Sequence, residues 1–467
     1  MTAASPAPAI LGGMHRRDSS IDALTEAIVH YAVDRMNLDP PPLDRSMPAA
    51  ALRERVGQTI TPDGLGGPEA LRRFTEVLAP ACISVDHPRF LSFVPAAPTE
   101  ASVLFDLVVG ASSIYAGSWM EGAGAVYAEN EALRWIADLA GLPAHAGGAF
   151  VAGGTAGNLS ALVAARARWR DTLDGRHDRE RGIVVSSAGA HASIDAAARV
   201  MDVDTLLVPA DDHGRLRGDA LRATIADLGP AERGRIFAVV ATAGTTNIGV
   251  IDDLAGAADA ADALGAWFHV DGAYGGAALA APSVRHRFVG IEQADSFIVD
   301  PHKWLFAPFD CCALVYREPQ QARRAHTQHA EYLDVLHLEE EWNPSDFAHH
   351  LSRRARGLPF WFSLAVHGTV AYTTAIETCL AVAKQAAGMI DEAEHVELLF
   401  DPELSIVVFR RVGWDAADYR TWSDRALAEG VAFVVPSSWA GETVLRLCFV
   451  NPLTTIADVG VILDSLR

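Results

Sequence analysis

No stretch of the 467-residue chain holds the roughly 18 to 20 consecutive apolar residues that a helix needs to cross a bilayer, so the sequence offers no transmembrane segment. The opening stretch, MTAASPAPAILGGMHRRDSS, sets its charges behind a weak apolar patch, the reverse of a secretory leader. Basic residues are in short supply. Against 59 Asp and Glu there are 38 Lys and Arg, which leaves a formal net charge of -21 and a pI near 5.2. Nucleic-acid phosphates and anionic lipid surfaces repel such a chain, so neither a nucleic acid nor a membrane is expected as a partner. Cysteine is scarce as well. Cys82, Cys311, Cys312, Cys379 and Cys448 are scattered and odd in number, which fits neither a disulfide framework nor zinc-ligand spacing. No metal is therefore expected, and a reducing cytoplasm is. Repeats are missing too, as is low complexity beyond the Ala/Pro-rich start. What is present is an ordinary globular composition, 50% hydrophobic and 21% charged. The length predicts about two to three domains.

Periodicity predicts an N-terminal helix at about 21–35, and the Pro-rich LDPPPLDRSMP at 38–48 reads as an exposed connector. Between about 145 and 316, short runs rich in Val, Ile and Phe recur: GAFVA, GIVVSS, DTLLVP, RIFAVVATA, AWFHVD, SFIVD and CALVY. Ala-rich helical stretches separate several of them. Continuous apolar strands alternating with helices predict an α/β fold with a mainly parallel central sheet covered on both faces. Ligands of such sheets sit at the carboxyl ends of the strands. Beyond a helical run at about 360–393, the segments LSIVVFRRV, VAFVVP and VLRLCFV predict a smaller C-terminal α+β unit. Helices at 415–429 and about 455–466 would cover one of its faces.

Unusual residues fall where the predicted strands stop. GGTAGNLSALVAARARW (153–169) opens a helix on two glycines and a Thr. The backbone there can approach an anion closely, although a plain Gly-rich turn explains it equally well. SSAGAHASIDAAARV (186–200) sets His191 at a helix start, as a cap or as a ring that stacks on a flat ligand. ATAGTTNIGVIDD (241–253) ends a strand in small and hydroxylated residues, which turn chemistry also accounts for. In WFHVDGAYGG (267–276), Asp271 closes a strongly apolar strand, either as an N-cap or as the partner of a buried cation. In VDPHKWLF (299–306), Lys303 sits among apolar neighbours, where an ammonium loses hydration. An ion pair with Asp300 or Asp310 would satisfy it, as would snorkelling to the surface. Each bland reading stands alone, but their joint occurrence at successive strand ends favours one ligand. Pyridoxal 5'-phosphate uses a lysine for a Schiff base, an acid for its ring nitrogen, a stacking partner for its ring and a helix start for its phosphate. Lys303 is then tolerated because it is bonded to the cofactor.

HPRFLSF (87–93), GGTAGNLSAL, the His191 segment, TAGTTNIG, HVDGAYGG, DPHKWLF and SRRARGLPFWF (352–362) run in the order and spacing of a known family, from about residue 20 to the end. The chain resembles the pyridoxal-phosphate-dependent group II decarboxylases, which include aromatic-amino-acid, glutamate and histidine decarboxylases. The resemblance implies a fold type I, aminotransferase-like architecture and a homodimer with active sites at the interface. It divides the chain into an N-terminal helical segment packing on the partner subunit (1–100), a large cofactor domain (101–359) and a small C-terminal domain (360–467). It implies that Lys303 is the Schiff-base lysine, Asp271 the partner of the pyridinium nitrogen, His191 the stacking ring and Ala273 the small residue on the opposite ring face. Thr155, Ala156 and Gly157 match the phosphate-holding residues, with His302 close by. Thr246 matches the threonine near the phenolic oxygen, unless Thr245 is the one meant. Tyr332, in HAEYLDV (329–335), matches a loop tyrosine that returns a proton to the α-carbon.

Departures from the pattern bear on the substrate. Asp300 stands where many members have Asn. Phe93 and Val94 replace larger aromatics, Ala96 replaces a threonine that touches substrate, and Gly117 replaces a Phe from the opposite subunit. The pocket is therefore wider, or refilled by Tyr115 and Trp119. The expectation is decarboxylation of a small amino-acid substrate to its amine and CO2, with an aromatic L-amino acid slightly favoured. The alternatives are an aldehyde synthase, a carbon-carbon or carbon-sulfur lyase, or a decarboxylase of an acidic amino acid. A cofactor-binding protein without turnover and an NAD-dependent dehydrogenase stand further off, the latter for want of the glycine spacing.

Overall fold

The computed structural model describes residues 14–15, 17–173, 180–331, 333 and 341–467. Seven strands form the large sheet: β1 (Gly147–Val151), β2 (Ile183–Ser187), β3 (Asp204–Val208), β4 (Ile236–Thr242), β5 (Trp267–Asp271), β6 (Ser296–Val299) and β7 (Cys312–Tyr316). All seven predicted runs are present. Their spatial order is β1-β7-β6-β5-β4-β2-β3. The β6/β5, β5/β4, β4/β2 and β2/β3 pairs are parallel, and only β7 runs against its two neighbours. The link from Val299 to Cys312 explains the reversal, because it carries just a four-residue helix, Pro301–Trp304, in place of a full crossover.

The period-two alternation of a strand sends successive side chains to opposite faces. Phe268 and Val270 of β5, with Phe297 and Val299 of β6, join one buried cluster, whereas Trp267 and Ile298 join the cluster on the other face. His269 and Asp271 share the parity of Trp267. They therefore meet the helix Gly154–Asp171, which lies on that face and buries Asn158, Ala161, Leu162 and Ala165. Small residues let this helix approach closely. A Cβ on Gly157 would come within 2.9 Å of Ile298 Cγ2 and 3.1 Å of Cys312 Sγ.

A second sheet follows the order β10-β11-β9-β8, all antiparallel, from β8 (Val396–Leu398), β9 (Ile406–Arg411), β10 (Ser437–Trp439) and β11 (Glu442–Cys448). The predicted strand at VAFVVP is not one. Phe433 instead makes an isolated bridge to Phe90, with Leu91 N–H donating to the Phe433 carbonyl at 3.1 Å, so this apolar run pairs with the HPRFLSF segment. The helical run at 360–393 is two helices, Leu358–His367 and Thr369–Asp391, split at Gly368, whose φ of 74° lies in the left-handed region that glycine favours. Helices Ser19–Met36, Ala416–Ala428 and Ile456–Ser465 lie where periodicity places them. Among the described residues, no helix is long and apolar enough to cross a membrane.

Candidate active site

The carboxyl ends of β1, β4, β5 and β6 open on a cavity of about 270 Å³. Its size, just below the roughly 300–1,000 Å³ typical of small-molecule sites, suits a single-ring ligand. Asp271 ends β5 and is buried. Its Oδ2 accepts from Asn158 Nδ2 at 2.8 Å and its Oδ1 from Ala273 N–H at 3.1 Å. Two donors leave lone-pair capacity on a carboxylate that can accept about four hydrogen bonds, so the group can still receive a cationic partner.

Asn158 is itself fixed on every side. Its Oδ1 lies 2.8 Å from His269 Nε2, and His269 Nδ1 lies 2.8 Å from Ser296 Oγ, which also accepts from Trp267 Nε1 at 2.8 Å. With the Asn158 amide nitrogen turned to Asp271, its oxygen must accept, so His269 carries its proton on Nε2 and takes the Ser296 hydroxyl proton at Nδ1. Burial pushes the His269 imidazole down to about 4, against the opposing pull of Asp271, which agrees with that single-proton form. Asn158 Nδ2 also donates to Ser193 Oγ at 2.9 Å. The Ser193 hydroxyl then donates to His191 Nδ1 at 2.8 Å, and Ser193 N–H reaches the same nitrogen at 3.2 Å. A continuous chain of hydrogen bonds thus runs from Asp271 through Asn158 and Ser193 to the His191 ring.

Lys303 lies on the short helix after β6, with Nζ 3.0 Å from Asp300 Oδ2. Burial alone would lower the Lys303 pKa. The charges of Asp300 and then Asp271 outweigh burial and leave it raised. Burial would likewise raise Asp300, but Lys303 and His302 hold it below the usual carboxylate range. The pair is therefore ionised. His302 Nδ1 donates to the Cys311 carbonyl at 2.7 Å, which turns Nε2 toward Asp300 Oδ2 at 3.6 Å; burial, opposed by Asp300, leaves its pKa lowered.

Gly154 N–H, at the start of the 18-residue helix Gly154–Asp171, donates to Asp300 Oδ2 at 3.3 Å. A Cβ on Gly154 would lie 3.2 Å from both Ala273 Cβ and Asp300 Oδ2, tighter than ordinary van der Waals contact, so the helix start packs closely here. Among the cavity's lining residues, Thr242 Oγ1 is buried with no protein partner, and Asp300 Oδ1 is buried without a nitrogen or hydroxyl donor, the Cys312 thiol being a weak one to that carboxylate. An amine, a buried acid, a fixed imidazole, a helix start and these poorly served atoms together fit a flat ligand that bears a carbonyl and an anionic group.

Lys303, Asp271, His191, Thr155, Thr246, Ala273 and His302 all line this one cavity. Thr245 lines an adjoining cavity of about 440 Å³, which shares His191 and Thr246 with the first and is walled in part by Ile248 and Trp439. Ala156 and Gly157 differ from expectation. Their N–H groups are taken by the Gly153 carbonyl at 2.9 and 3.0 Å, and Gly157 serves helix-to-sheet packing. Tyr332 lies outside the described residues. Within one chain, Phe93, Val94, Tyr115 and Trp119 line neither cavity. Phe93 is 58% exposed and Val94 belongs to the core. Trp119 begins a helix, its N–H donating to Asn343 Oδ1 at 2.9 Å. The Tyr115 ring packs beside Gly117, where a Cβ would come within 2.4 Å of its hydroxyl, and that hydroxyl donates to the Leu351 carbonyl at 3.1 Å. Asn158, Ser193, His269 and Thr242 were not singled out from the sequence.

Residues 68–412 match the family described as the pyridoxal-dependent decarboxylase conserved domain. An aromatic-L-amino-acid decarboxylase of Bacillus atrophaeus is 30% identical over 452 residues, covering 94% of this chain and 93% of the relative. An L-2,4-diaminobutyrate decarboxylase of Rhizobium meliloti (strain 1021) is 32% identical over 398 residues, covering 82% of this chain and 78% of the relative. The fold is shared with Oryza sativa TDC, solved with PLP and tryptamine, at a TM-score of 0.88 and 24% identity over 97% of this chain and 98% of that one.

Proposed function

The chain belongs to the pyridoxal-dependent decarboxylase family and is a pyridoxal-phosphate-dependent amino-acid decarboxylase, and from that premise we propose that it converts an aromatic L-amino acid to its amine and CO2. The observation that carries the reading is the meeting of Lys303, Asp271 and His191 in one cavity, with Asp271 and His191 tied together through Asn158. When bound, the cofactor supplies an electron sink for the pair left on the α-carbon as CO2 departs. Lys303 provides the amine that holds it. Asp271 keeps a proton on the heterocyclic nitrogen, because a carboxylate beside a cation raises that cation's pKa. His191 and Ala273 would bound the two faces of the cofactor's ring, Thr155 and His302 would receive its phosphate, and Thr246 would meet its ring hydroxyl, all of them lining the one cavity. Tyr332 is assigned the proton returned to the α-carbon.

Among the described residues, no arginine lines either cavity, so an acidic side chain would find no fixed guanidinium there. Ile248 and the Trp439 ring suit an apolar, flat side chain instead. A second reading has its own support: Asp211 in the adjoining cavity and the 32% identical relative both favour 2,4-diaminobutyrate, whose side chain is cationic. A homodimer is the proposed assembly, with residues 1–100 on the partner, 101–359 as the large domain and 360–467 as the small one. Helix Ser19–Met36 buries no residue and exposes Ile21, Ile28, Val29 and Val33, and helix Glu100–Ser112 exposes Leu104, Leu107 and Val108. Such faces ask for a cover. The proposed location is the cytoplasm.

The test is CO2 release from each of the twenty amino acids, DOPA, 5-hydroxytryptophan, cysteine sulfinate and 2,4-diaminobutyrate, with the product identified. An aromatic amino acid should have the highest kcat/KM. Preference for 2,4-diaminobutyrate would install the second reading, and preference for an acidic amino acid would refute both.

A further inference from the structure

Asp300 occupies the place of an anionic ligand. One of its oxygens, Oδ2, accepts from Gly154 N–H at 3.3 Å and from Lys303 Nζ at 3.0 Å, with the His302 ring beyond them at 3.6 Å. The other, Oδ1, is buried without a nitrogen or hydroxyl donor, on a residue only 1% exposed that lines the cavity, and the carboxylate's one further partner is the weak Cys312 thiol. A buried carboxylate with one oxygen held by an ammonium and a helix start and the other short of a good donor is not placed for stability alone, since a poorly served buried acceptor is a net cost. We propose that Asp300 is a placeholder anion: in the chain without cofactor it covers the helix start and holds Lys303 as an ammonium, and cofactor capture must release both contacts. The inference rests on the chain's use of the cofactor and is independent of which amino acid is decarboxylated.

Capture consumes the lone pair of Lys303. The ammonium first gives up a proton, a carbon–nitrogen bond forms at the cofactor's aldehyde, and the carbonyl oxygen leaves as water with two of the three ammonium protons, the third ending on the nitrogen. No oxidant or reductant is needed. Whatever stabilises the ammonium therefore slows capture at neutral pH. The groups that face Lys303 are Asp300 and His302 on its own segment, Asp271 on β5, Cys312 on β7 and Cys448 on β11. Burial pushes the Cys312 thiol well up and Cys448 to about 11, so both stay uncharged at neutral pH. His302 is pushed down. Of the two carboxylates, Asp300 makes the direct contact. It also presents negative charge where the phosphate must arrive, so its replacement by a neutral amide of the same shape removes both obstacles.

The experiment uses the full chain freed of cofactor, mixed rapidly with pyridoxal 5'-phosphate between pH 6 and 9.5 while the visible band is followed. Borohydride reduction then identifies the labelled residue, and Lys384 is the chain's only other lysine. In the unaltered chain the capture rate should climb about tenfold per pH unit through pH 7 to 8, as expected for a rate limited by the free amine. Asp300→Asn should capture at least about tenfold faster at pH 7, the equivalent of lowering the amine midpoint by about one unit. A flat profile in the unaltered chain would overturn the proposal even if the variant failed to fold. So would a variant that captures at the original rate or more slowly. A band that never forms, or a label on Lys384, would remove the cofactor assignment itself, which separates that failure from failure of the placeholder.

Discussion

Asn158→Ala is the substitution that tests the site's construction most directly. It deletes the side-chain donor to Asp271, the acceptor for His269 Nε2–H and the link to Ser193 in one step. A hydrogen bond to a charged group is worth about 1.5–3 kcal/mol, and a buried N–H left unpaired costs about 1–3 kcal/mol more. The folded state should therefore lose about 3–5 kcal/mol, with about 2.1 cal/mol/K per residue of unfolding entropy converting this to a fall of only a few degrees in Tm. The functional loss is larger in proportion. Asp271 deprived of its donor is held less firmly for the contact proposed with the ring nitrogen, and the lost hydrogen bond is worth about 1.5–3 kcal/mol. At neutral pH, kcat should fall about 10- to 100-fold, because each 1.4 kcal/mol of lost stabilisation is about a factor of ten. The assay is kcat for CO2 release at neutral pH, beside a melting curve of the same sample. A merely structural asparagine would lower Tm and leave kcat of the folded sample in place. A kcat within twofold of the parent would refute the relay.

Two further outcomes are open to measurement. Tyr332→Phe should divert product from amine toward aldehyde, measured by chromatography of both; an unchanged amine yield would mean that another group protonates the α-carbon. His269, His326 and His350 are each pushed down to about 4 by burial. An imidazole depressed in the folded state binds its proton only on unfolding between pH 4 and its ordinary value of about 6.5, so stability contributed by these groups is present above that value and is lost as pH falls toward 4. Denaturant titrations should show unfolding free energy rising with pH across that window with a slope of as many as three protons, and His326→Leu should remove about one of them. A slope of the opposite sign would sink the assignment.

Strand existence in the large sheet was legible because each run is apolar, short and closed by turn residues, the pattern of strands buried on both faces. VAFVVP carries the same apolar signal and fails for a reason local composition cannot supply. The segment reaches Phe90 and Leu91, more than 300 positions earlier in the chain, and its partner is a bridge rather than a ladder. The break at Gly368 was equally hidden, since the helical period continues on both sides and only the left-handed φ interrupts it. Lys303, Asp271 and His191 could be picked out because each is a polar residue in an apolar context at a strand end. Ala156 and Gly157 were drawn in by the same Gly-rich opening, but the first helical turn uses their N–H groups for itself.

The relay behind Asp271 had a weaker signal that the strand's own geometry makes usable. In WFHVD, Trp267, His269 and Asp271 alternate with Phe268 and Val270, so a polar imidazole and a carboxylate are committed to the face that also carries the apolar Val240, Trp267 and Ile298. Neither group can stay unpaired in such a layer. The helix covering that face must bring a side chain that both donates and accepts, and Asn158, one turn into Gly154–Asp171, is an amide that does both at once. Replacing it with Asp would keep the size but remove the donor and set a second carboxylate 2.8 Å from the first, which forces one of the two to take up a proton. The requirement for an amide at 158 is thus set by the parity of β5, and the carboxylate proposed to meet the cofactor, Asp271, depends on a residue that need never touch the cofactor.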